Sequence, residues 1–249
     1  MRLTRVHCAA PLVQGGEATL PDAATTHVTR VLRLRVGDQL AVFDGRGSEH
    51  HAEIAAITGG GVRVRLLERV ASRPESPLEV TLVQAVSRGE RMDWALQKAT
   101  ELGVSAIAPV LCARSVVRLD ADQAGAKLRH LQAIVVAACE QSGRSVLPEL
   151  RLPEPLRAWL ARPTAAGLRL VLDTDADTEL SAMPAPTGAV ELLIGPEGGF
   201  DDDEIEAARA AGFRPARLGP RVLRTETAGV AALAVLQSRW GDLAAPRVT

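Results

Sequence analysis

The hydrophobic residues of this chain change their period across Arg73-Pro74-Glu75-Ser76-Pro77, and no other feature constrains the fold as strongly. Before that point apolar and polar residues alternate over short stretches. Val31-Leu32-Arg33-Leu34-Arg35-Val36 runs into the turn signal Gly37-Asp38, then comes Gln39-Leu40-Ala41-Val42-Phe43, which Asp44-Gly45 closes as a hairpin turn. After Gly59-Gly60-Gly61, Val62-Arg63-Val64-Arg65-Leu66 alternates again. Period two with breaks at this spacing predicts the strands of a small β-barrel. Beyond the stiff, polar linker, strands alternate with helices. Strands are expected at Leu78–Val83, Ile107–Val110, Leu168–Leu172 and Val190–Ile194. Helices are expected at Arg91–Leu102, stopped by Gly103, and Lys127–Ser142, ended by Gly143. The last two strands are almost continuously apolar, as parallel strands covered on both faces must be. The expectation is an α/β protein of two domains, residues 1–72 and 73–249.

Composition removes several function classes. No apolar run approaches the roughly 18–20 residues that cross a bilayer, and Met1-Arg2-Leu3-Thr4-Arg5 has no signal-peptide core. Cys8, Cys112 and Cys139 are odd in number and far apart, so neither a disulfide framework nor a zinc site is expected. A cytoplasmic protein is the simple expectation. The net charge of −1 does not advertise nucleic-acid binding. Its distribution says more: residues 1–70 hold nine Arg, no Lys and seven acids. That bias suits a phosphate-bearing partner, and a solvated surface accounts for it as well. Asp173, Asp175 and Asp177 resemble a calcium loop only superficially, since Thr178 and Pro184 stand where Gly and Glu are required. No metal is expected.

Two loops carry the chemistry. Ile194-Gly195-Pro196-Glu197-Gly198-Gly199-Phe200 links a buried strand to a helix that Asp201 and Glu204 start as a capping box, with Phe200 placed to staple onto Ile205. Its glycines let backbone groups approach a ligand closely, at the strand end where α/β sheets bind ligands. A tight turn needing glycine only for positive φ explains the same spacing. The loop is neither a dinucleotide fingerprint nor a P-loop, and Glu197 disfavours a polyphosphate. Downstream, Arg217-Leu218-Gly219-Pro220-Arg221-Val222-Leu223-Arg224-Thr225-Glu226-Thr227-Ala228 leads from a short strand to a helix that is apolar from Ala228 to Leu236. Such a helix is buried on every side, by its own domain or by a second subunit. Capping by Thr225 is one explanation of the polar start.

These two loops, with His27-Val28-Thr29-Arg30-Val31-Leu32-Arg33-Leu34, Gln97-Lys98-Ala99-Thr100-Glu101-Leu102-Gly103-Val104 and Cys139-Glu140-Gln141-Ser142-Gly143-Arg144, resemble the RsmE family of SPOUT-superfamily RNA methyltransferases nearly end to end. Val222, where Ile is common, and the scarcity of Lys are mild departures. The resemblance implies a PUA-like β-barrel followed by a SPOUT-type α/β methyltransferase domain with a C-terminal trefoil knot, acting as a homodimer. The implied reaction moves a methyl group from S-adenosyl-L-methionine to N3 of one uridine in 16S ribosomal RNA, as free RNA or in the assembled small ribosomal subunit. It also implies a cofactor site of Leu172, Ile194, Gly195, Glu197, Gly198, Gly199, Leu218, Gly219, Val222, Leu223, Thr227 and Ala228.

Methyl transfer needs the sulfonium methyl in line with the nucleophilic nitrogen, so positioning supplies much of the rate. Arg224 and Glu226 are the catalytic candidates. Glu226 can accept the uracil N3 proton, whereas Arg224 stays protonated and favours the uracil anion. His130 is discounted as a base because its helix lies far from both loops in sequence. Glu101 and Gln97 face either the cleft or solvent. Arg30, Arg33, Arg88, Arg91, Arg114 and Arg144 are the expected RNA phosphate contacts, with surface ion pairing as the ordinary alternative. Two other readings stay open: a SPOUT methyltransferase of transfer RNA, and a non-catalytic RNA-binding or assembly protein.

Overall fold

The computed structural model describes residues 3–117 and 120–244, so Met1, Arg2, Arg118, Leu119 and the segment 245–249 lie outside the description. The chain divides into two compact units. One runs to Glu75 and takes in Val136–Leu147; the other holds Ser76–Val135 and the residues from Pro148 onward.

In the first unit β1 (Arg5–His7), β2 (Glu17–Thr19), β3 (Gln39–Phe43), β4 (Glu49–Thr58) and β5 (Gly61–Val70) form one sheet, ordered β1-β3-β4-β5-β2. All pairs are antiparallel except β1 with β3. Alternation fixes the inward face: Val62, Val64 and Leu66 of β5 are buried, while Arg63 and Arg65 point out to Glu17 and Glu53. Burying one such apolar side chain is worth about 1.5–3 kcal/mol, against roughly 0–1 for an exposed ion pair, so the core sets the register. Asp44 closes the β3–β4 turn, its Oδ1 accepting from Arg46 N at 2.7 Å and Ser48 N at 3.0 Å. Register shifts between His50 and Ala52 and between Ile54 and Ala56 bend the long β4–β5 ladder.

One expected strand is absent. Instead of pairing, the chain runs from helix α1 (Asp22–Thr26) into a π-helical turn, His27–Val31, and then passes Arg33 at φ 55°. Val28 is buried and Leu34 packs against the same core. The alternation read from 31–36 is thus satisfied by a one-sided irregular segment. Its backbone is satisfied locally instead of across a ladder: Leu32 N donates to the His27 carbonyl and Leu34 N to the Val28 carbonyl, each at 3.0 Å.

A buried ion pair closes this unit. Arg5 donates from Nη2 to Glu49 Oε2 at 2.8 Å and from Nε to Oε1 at 3.0 Å. It also donates to the carbonyls of Cys139 and Arg144, and stacks 4.5 Å from the Phe43 ring centroid. Ser145 Oγ completes the set on Glu49. One guanidinium therefore ties the 136–147 stretch to β1, β3 and β4. Burial alone pushes the Glu49 carboxyl up, but the Arg5 and Ser145 hydrogen bonds outweigh it and hold the carboxyl below its ordinary value.

The second unit is a parallel sheet of β6 (Val80–Ala85), β7 (Ala106–Leu111), β8 (Glu149–Leu150), β9 (Glu154–Pro155), β10 (Leu168–Leu172), β11 (Val190–Ile194) and β12 (Arg214–Ala216). Its order is β12-β10-β11-β6-β7-β8, with β9 also on β7. Val83, Ala85, Val171 and Leu193 pack on one face with Leu156, Trp159 and Leu160 of α4 (Leu156–Leu160) and Ala208 of α5 (Asp202–Ala210). On the other face α6 (Thr225–Trp240) lies against β6, β11 and α2 (Glu90–Glu101). Both faces are covered, which is why the strands read as apolar runs. Helix α3 (Ala121–Ser142) begins in this unit, and its residues from Val136 count with the first.

Replacing Glu49 with Gln leaves Arg5 buried without its counter-charge. The expected cost is about 3–5 kcal/mol in urea unfolding near neutral pH. Because the native carboxyl titrates below its ordinary value of 4.5, the parent's advantage is complete above that pH and shrinks as pH falls through the depressed native value. Unfolding curves of both proteins across this range check the magnitude and the sign.

Candidate active site

Parallel strands deliver their carboxyl ends to one edge of the sheet, and three consecutive ends meet there. The loops after β10, β11 and β12 line one cavity of 1010 Å³ within the second unit, joined by Arg91 of α2 and by Arg114 beyond β7. Ligand sites occupy this edge in open α/β sheets.

The glycine loop is built from both of its ends. Asp201 Oδ1 accepts from Glu204 N at 2.8 Å and Glu204 Oε2 from Asp201 N at 3.1 Å, which completes the expected capping box of α5. Glu204 also accepts from Ala113 N at 2.7 Å, anchoring the β7–α3 connection to the same point. Phe200 and Ile205 pack on one core cluster. Two glycines are needed for distinct reasons. A Cβ on Gly195 would stand 3.0 Å from the Phe200 ring, and Gly199 sits at φ 69°. Helix α6 enters from Arg224 without a side-chain cap, so Thr225 does not cap it. Its hydroxyl instead donates to the Gly195 carbonyl at 2.5 Å.

Of the cofactor residues expected from the sequence, Leu172, Ile194, Gly195, Glu197, Gly199, Leu218, Gly219, Val222, Leu223 and Ala228 all line the cavity, as do Arg224 and Glu226. Gly198 and Thr227 do not. A Cβ on Gly198 would point at the Arg114 side chain, 3.2 Å from its Cβ, rather than into open space. The expected phosphate contacts separate. Arg91 and Arg114 reach the cavity, but both are engaged: Arg91 Nη1 lies 3.1 Å from Glu197 Oε1, and Arg114 Nη1 donates to the carbonyls of Gly198 and Phe200 at 3.2 Å each. Arg144 is a correction. Its side chain is 11% exposed and bound to Glu75, because a guanidinium so far from water is stable only beside a carboxylate. Arg30, Arg33 and Arg88 are exposed, the first two in the first unit. Gln97 and Glu101 do not line the cavity, and Glu101 pairs with Lys98. His130 pairs with Asp93 at 2.7 Å, also away from the cavity.

The sequence reading missed the acidic wall. Asp173, Asp175, Asp202 and Glu206 line the cavity, with Arg209 and Arg221. The signal was available, since Asp173 directly follows a buried parallel strand. Among the described residues no cluster of His, Cys, Asp or Glu could hold a metal ion. The Cys112 thiol, pushed up to about 12 by burial and by Glu204, stays protonated and is no nucleophile. One acid is conspicuous: Glu226 Oε2 is buried without a hydrogen-bond partner among the described residues.

The model of an RNA methyltransferase domain matches residues 74–237, and that of an RNA methyltransferase PUA domain matches residues 20–67. Ribosomal RNA small subunit methyltransferase E of Buchnera aphidicola (subsp. Schizaphis graminum) is 34% identical over 97% of this chain and 98% of its own length. That of Mycobacterium tuberculosis is 36% identical over 89% and 91%. Among solved structures, ribosomal RNA small subunit methyltransferase E of Neisseria gonorrhoeae bound to S-adenosyl methionine aligns with a TM-score of 0.92 at 38% identity, covering 97% of this chain and 99% of that one. A putative methyltransferase of Legionella pneumophila in complex with the same cofactor aligns with a TM-score of 0.93 at 40% identity, covering 98% and 100%.

Arg114→Ala removes two exposed hydrogen bonds and should cost the fold no more than about 1 kcal/mol. The glycine loop should nevertheless open more often. The expected result is an unchanged melt with faster amide exchange confined to residues 195–200, read by hydrogen–deuterium exchange.

Proposed function

Because the chain belongs to the RNA methyltransferase family that includes ribosomal RNA small subunit methyltransferase E, we propose that it methylates N3 of a uridine in 16S ribosomal RNA. The chain is an S-adenosylmethionine-dependent ribosomal RNA methyltransferase. The uridine position, the roles of individual residues, the knot and the dimer are the proposal. The observation that carries it is the convergence of three strand-end loops on one acid-walled cavity.

That cavity fits the cofactor. S-adenosylmethionine brings a sulfonium and an ammonium, and Asp173, Asp175, Asp202 and Glu206 supply negative charge around the space. Gly199 and Gly219 have nothing within 4 Å of where a Cβ would stand, which leaves backbone open to a ligand. Leu172, Ile194, Leu218, Val222 and Leu223 give apolar walls for the adenosine. When bound, the cofactor supplies the electrophilic methyl group. The protein's own task is to present N3 and take away its proton. Glu226, whose Oε2 has no hydrogen-bond partner among the described residues, is the proton acceptor in this reading. Arg224, exposed at the uncapped start of α6, stabilises charge on the uracil oxygens, helped by the positive end of the helix. Each pKa unit of such help is worth about 1.4 kcal/mol. N3 lies on the Watson–Crick edge, so the target base must be unpaired to react. The N-terminal unit, with Arg30, Arg33 and Arg35 exposed, holds flanking RNA through phosphates. The reading places the protein in the cytoplasm; no helix among the described residues is long and apolar enough to cross a membrane.

The knot is supported by connectivity: the chain leaves β12 at the sheet edge and returns as α6 over the central strands β6 and β11. The dimer is supported by α6 itself. Gly229, Ala232, Leu233 and Leu236 are buried, whereas Val230, Ala231, Ala234 and Val235 stay only half-covered by their own chain.

Mass spectrometry of 16S ribosomal RNA from cells with and without this protein tests the reaction. One 3-methyluridine should vanish in its absence and return on complementation; an unchanged methylation pattern overturns the reading. Val235→Asp places a charge on the half-covered face of α6. Sedimentation should show monomer or aggregate, with several kcal/mol lost from the association; an unchanged dimer would place the interface elsewhere.

A further inference from the structure

A side-chain relay joins the glycine loop to the start of α6 at the cavity that Gly195 and Thr225 line. Gln84, next to last in the central strand β6, is in register with Ile194 of β11 and is 1% exposed. Its Nε2 donates to Thr225 Oγ1 at 3.0 Å, and Thr225 Oγ1 donates to the Gly195 carbonyl at 2.5 Å. Proton counting fixes the direction. The Gly195 carbonyl can only accept, so the single hydroxyl proton of Thr225 goes there, and the hydroxyl must then accept from an amide NH2. That orientation leaves Gln84 Oε1 buried and without a partner among the described residues. An unsatisfied buried oxygen is destabilising and persists only where the arrangement is held for another reason. Gly229, inside α6, belongs to the same device. A Cβ there would lie 3.0 Å from Gln84 Oε1, and within 3.5 Å of Ile194 and Leu82. Glycine is unfavourable in a helix interior, and this approach explains its presence.

We infer that Thr225 is a positioning residue that sets the distance between the cofactor loop and the substrate-side residues Arg224 and Glu226. The inference rests on the methyltransferase reading above. Thr225 sits between those two residues in sequence, and its hydroxyl holds the first carbonyl of the glycine loop. A reaction that depends on in-line placement of a methyl group is sensitive to sub-ångström changes in that distance. A hydrogen bond that merely stabilised the fold would affect cofactor affinity and stability in step with turnover.

Thr225→Val keeps the shape and removes the hydroxyl. Thr225→Ser keeps the hydroxyl, and Gly229→Ala shifts the Gln84 amide by a few tenths of an ångström through a substitution that ordinarily favours a helix. Each full-length variant is compared with the parent by melting temperature, by calorimetric Kd for S-adenosylmethionine, and by kcat on small-subunit ribosomal RNA. Expected is a fall in kcat of roughly tenfold to a hundredfold for Thr225→Val and Gly229→Ala, with Kd changed less than about threefold and recovery in Thr225→Ser. If Thr225→Val does not fold, Gly229→Ala carries the test. Unchanged kcat, a proportional loss of cofactor affinity, or a serine variant as slow as valine overturns the inference. A parent that binds no cofactor and transfers no methyl overturns instead the function on which it rests.

Discussion

The parallel pairing of β10 with β11 on one side and β12 on the other is the constraint on which the site depends. Parallel strands in register must end together, so Leu172, Ile194 and Ala216 release their loops at one edge within neighbouring ladder spacings. Each loop alone is an ordinary strand-to-helix or strand-to-turn connection. Held side by side, they enclose a cavity whose walls come from residues more than forty positions apart in the chain. The buried capping box at α5 and the uncapped start of α6 then divide the work. The first fixes the exit of the glycine loop into α5, and the second leaves Arg224, Thr225 and Glu226 of the α6 start lining the cavity.

The two units solve a similar packing problem with similar chemistry. In the first, Arg5 and Glu49 are buried together with the guanidinium over Phe43. In the second, Arg169 of β10 and Glu191 of β11 pair at 2.9 Å, with the guanidinium 4.2 Å from the Phe213 ring centroid and donating to the Ala211 carbonyl beyond α5. Desolvation makes such pairs weak sources of net stability, while removing one partner is costly. Their use here is geometric. Each guanidinium has several donors in one plane, so it can ties a carboxylate and distant carbonyls into one arrangement that apolar packing alone would leave free to slide. Arg5 fixes the 136–147 stretch and Arg169 the exit of α5.

Charges of both signs line the cavity, which net charge concealed. A chain with formal charge −1 lines one cavity with Asp173, Asp175, Asp202 and Glu206 and also with Arg91, Arg114, Arg209, Arg221 and Arg224. A cationic cofactor and a polyanionic substrate make opposite demands, and the cavity carries both signs: most of its acids come from the β10 loop and α5, and most of its arginines from α2, the β7 loop and the β12–α6 loop, with Arg209 of α5, Glu197 and Glu226 as exceptions. Two of those arginines serve the protein first: Arg91 neutralises Glu197 and Arg114 holds the glycine loop.

The sequence by itself determined the fold class, the strands Leu168–Leu172 and Val190–Ile194, the helix from Thr225, and the two loops that line the cavity. These are local facts: hydrophobic period, glycine and proline at turns, and a capping box spanning Asp201 to Glu204 are all written within a few residues. It misread 31–36 as a strand because alternation records which side chains are buried, not whether the backbone is satisfied locally or across a ladder. It assigned Arg144 to RNA because an arginine's partner, here Glu75, is not identifiable from spacing. It could not see the acidic wall or the Gln84–Thr225–Gly195 relay, whose members are 141 and 30 positions apart. Only the tertiary structure decided those, since contacts between residues distant in the chain depend on which strands lie side by side, and that order is set by the packing of the whole sheet against its helices.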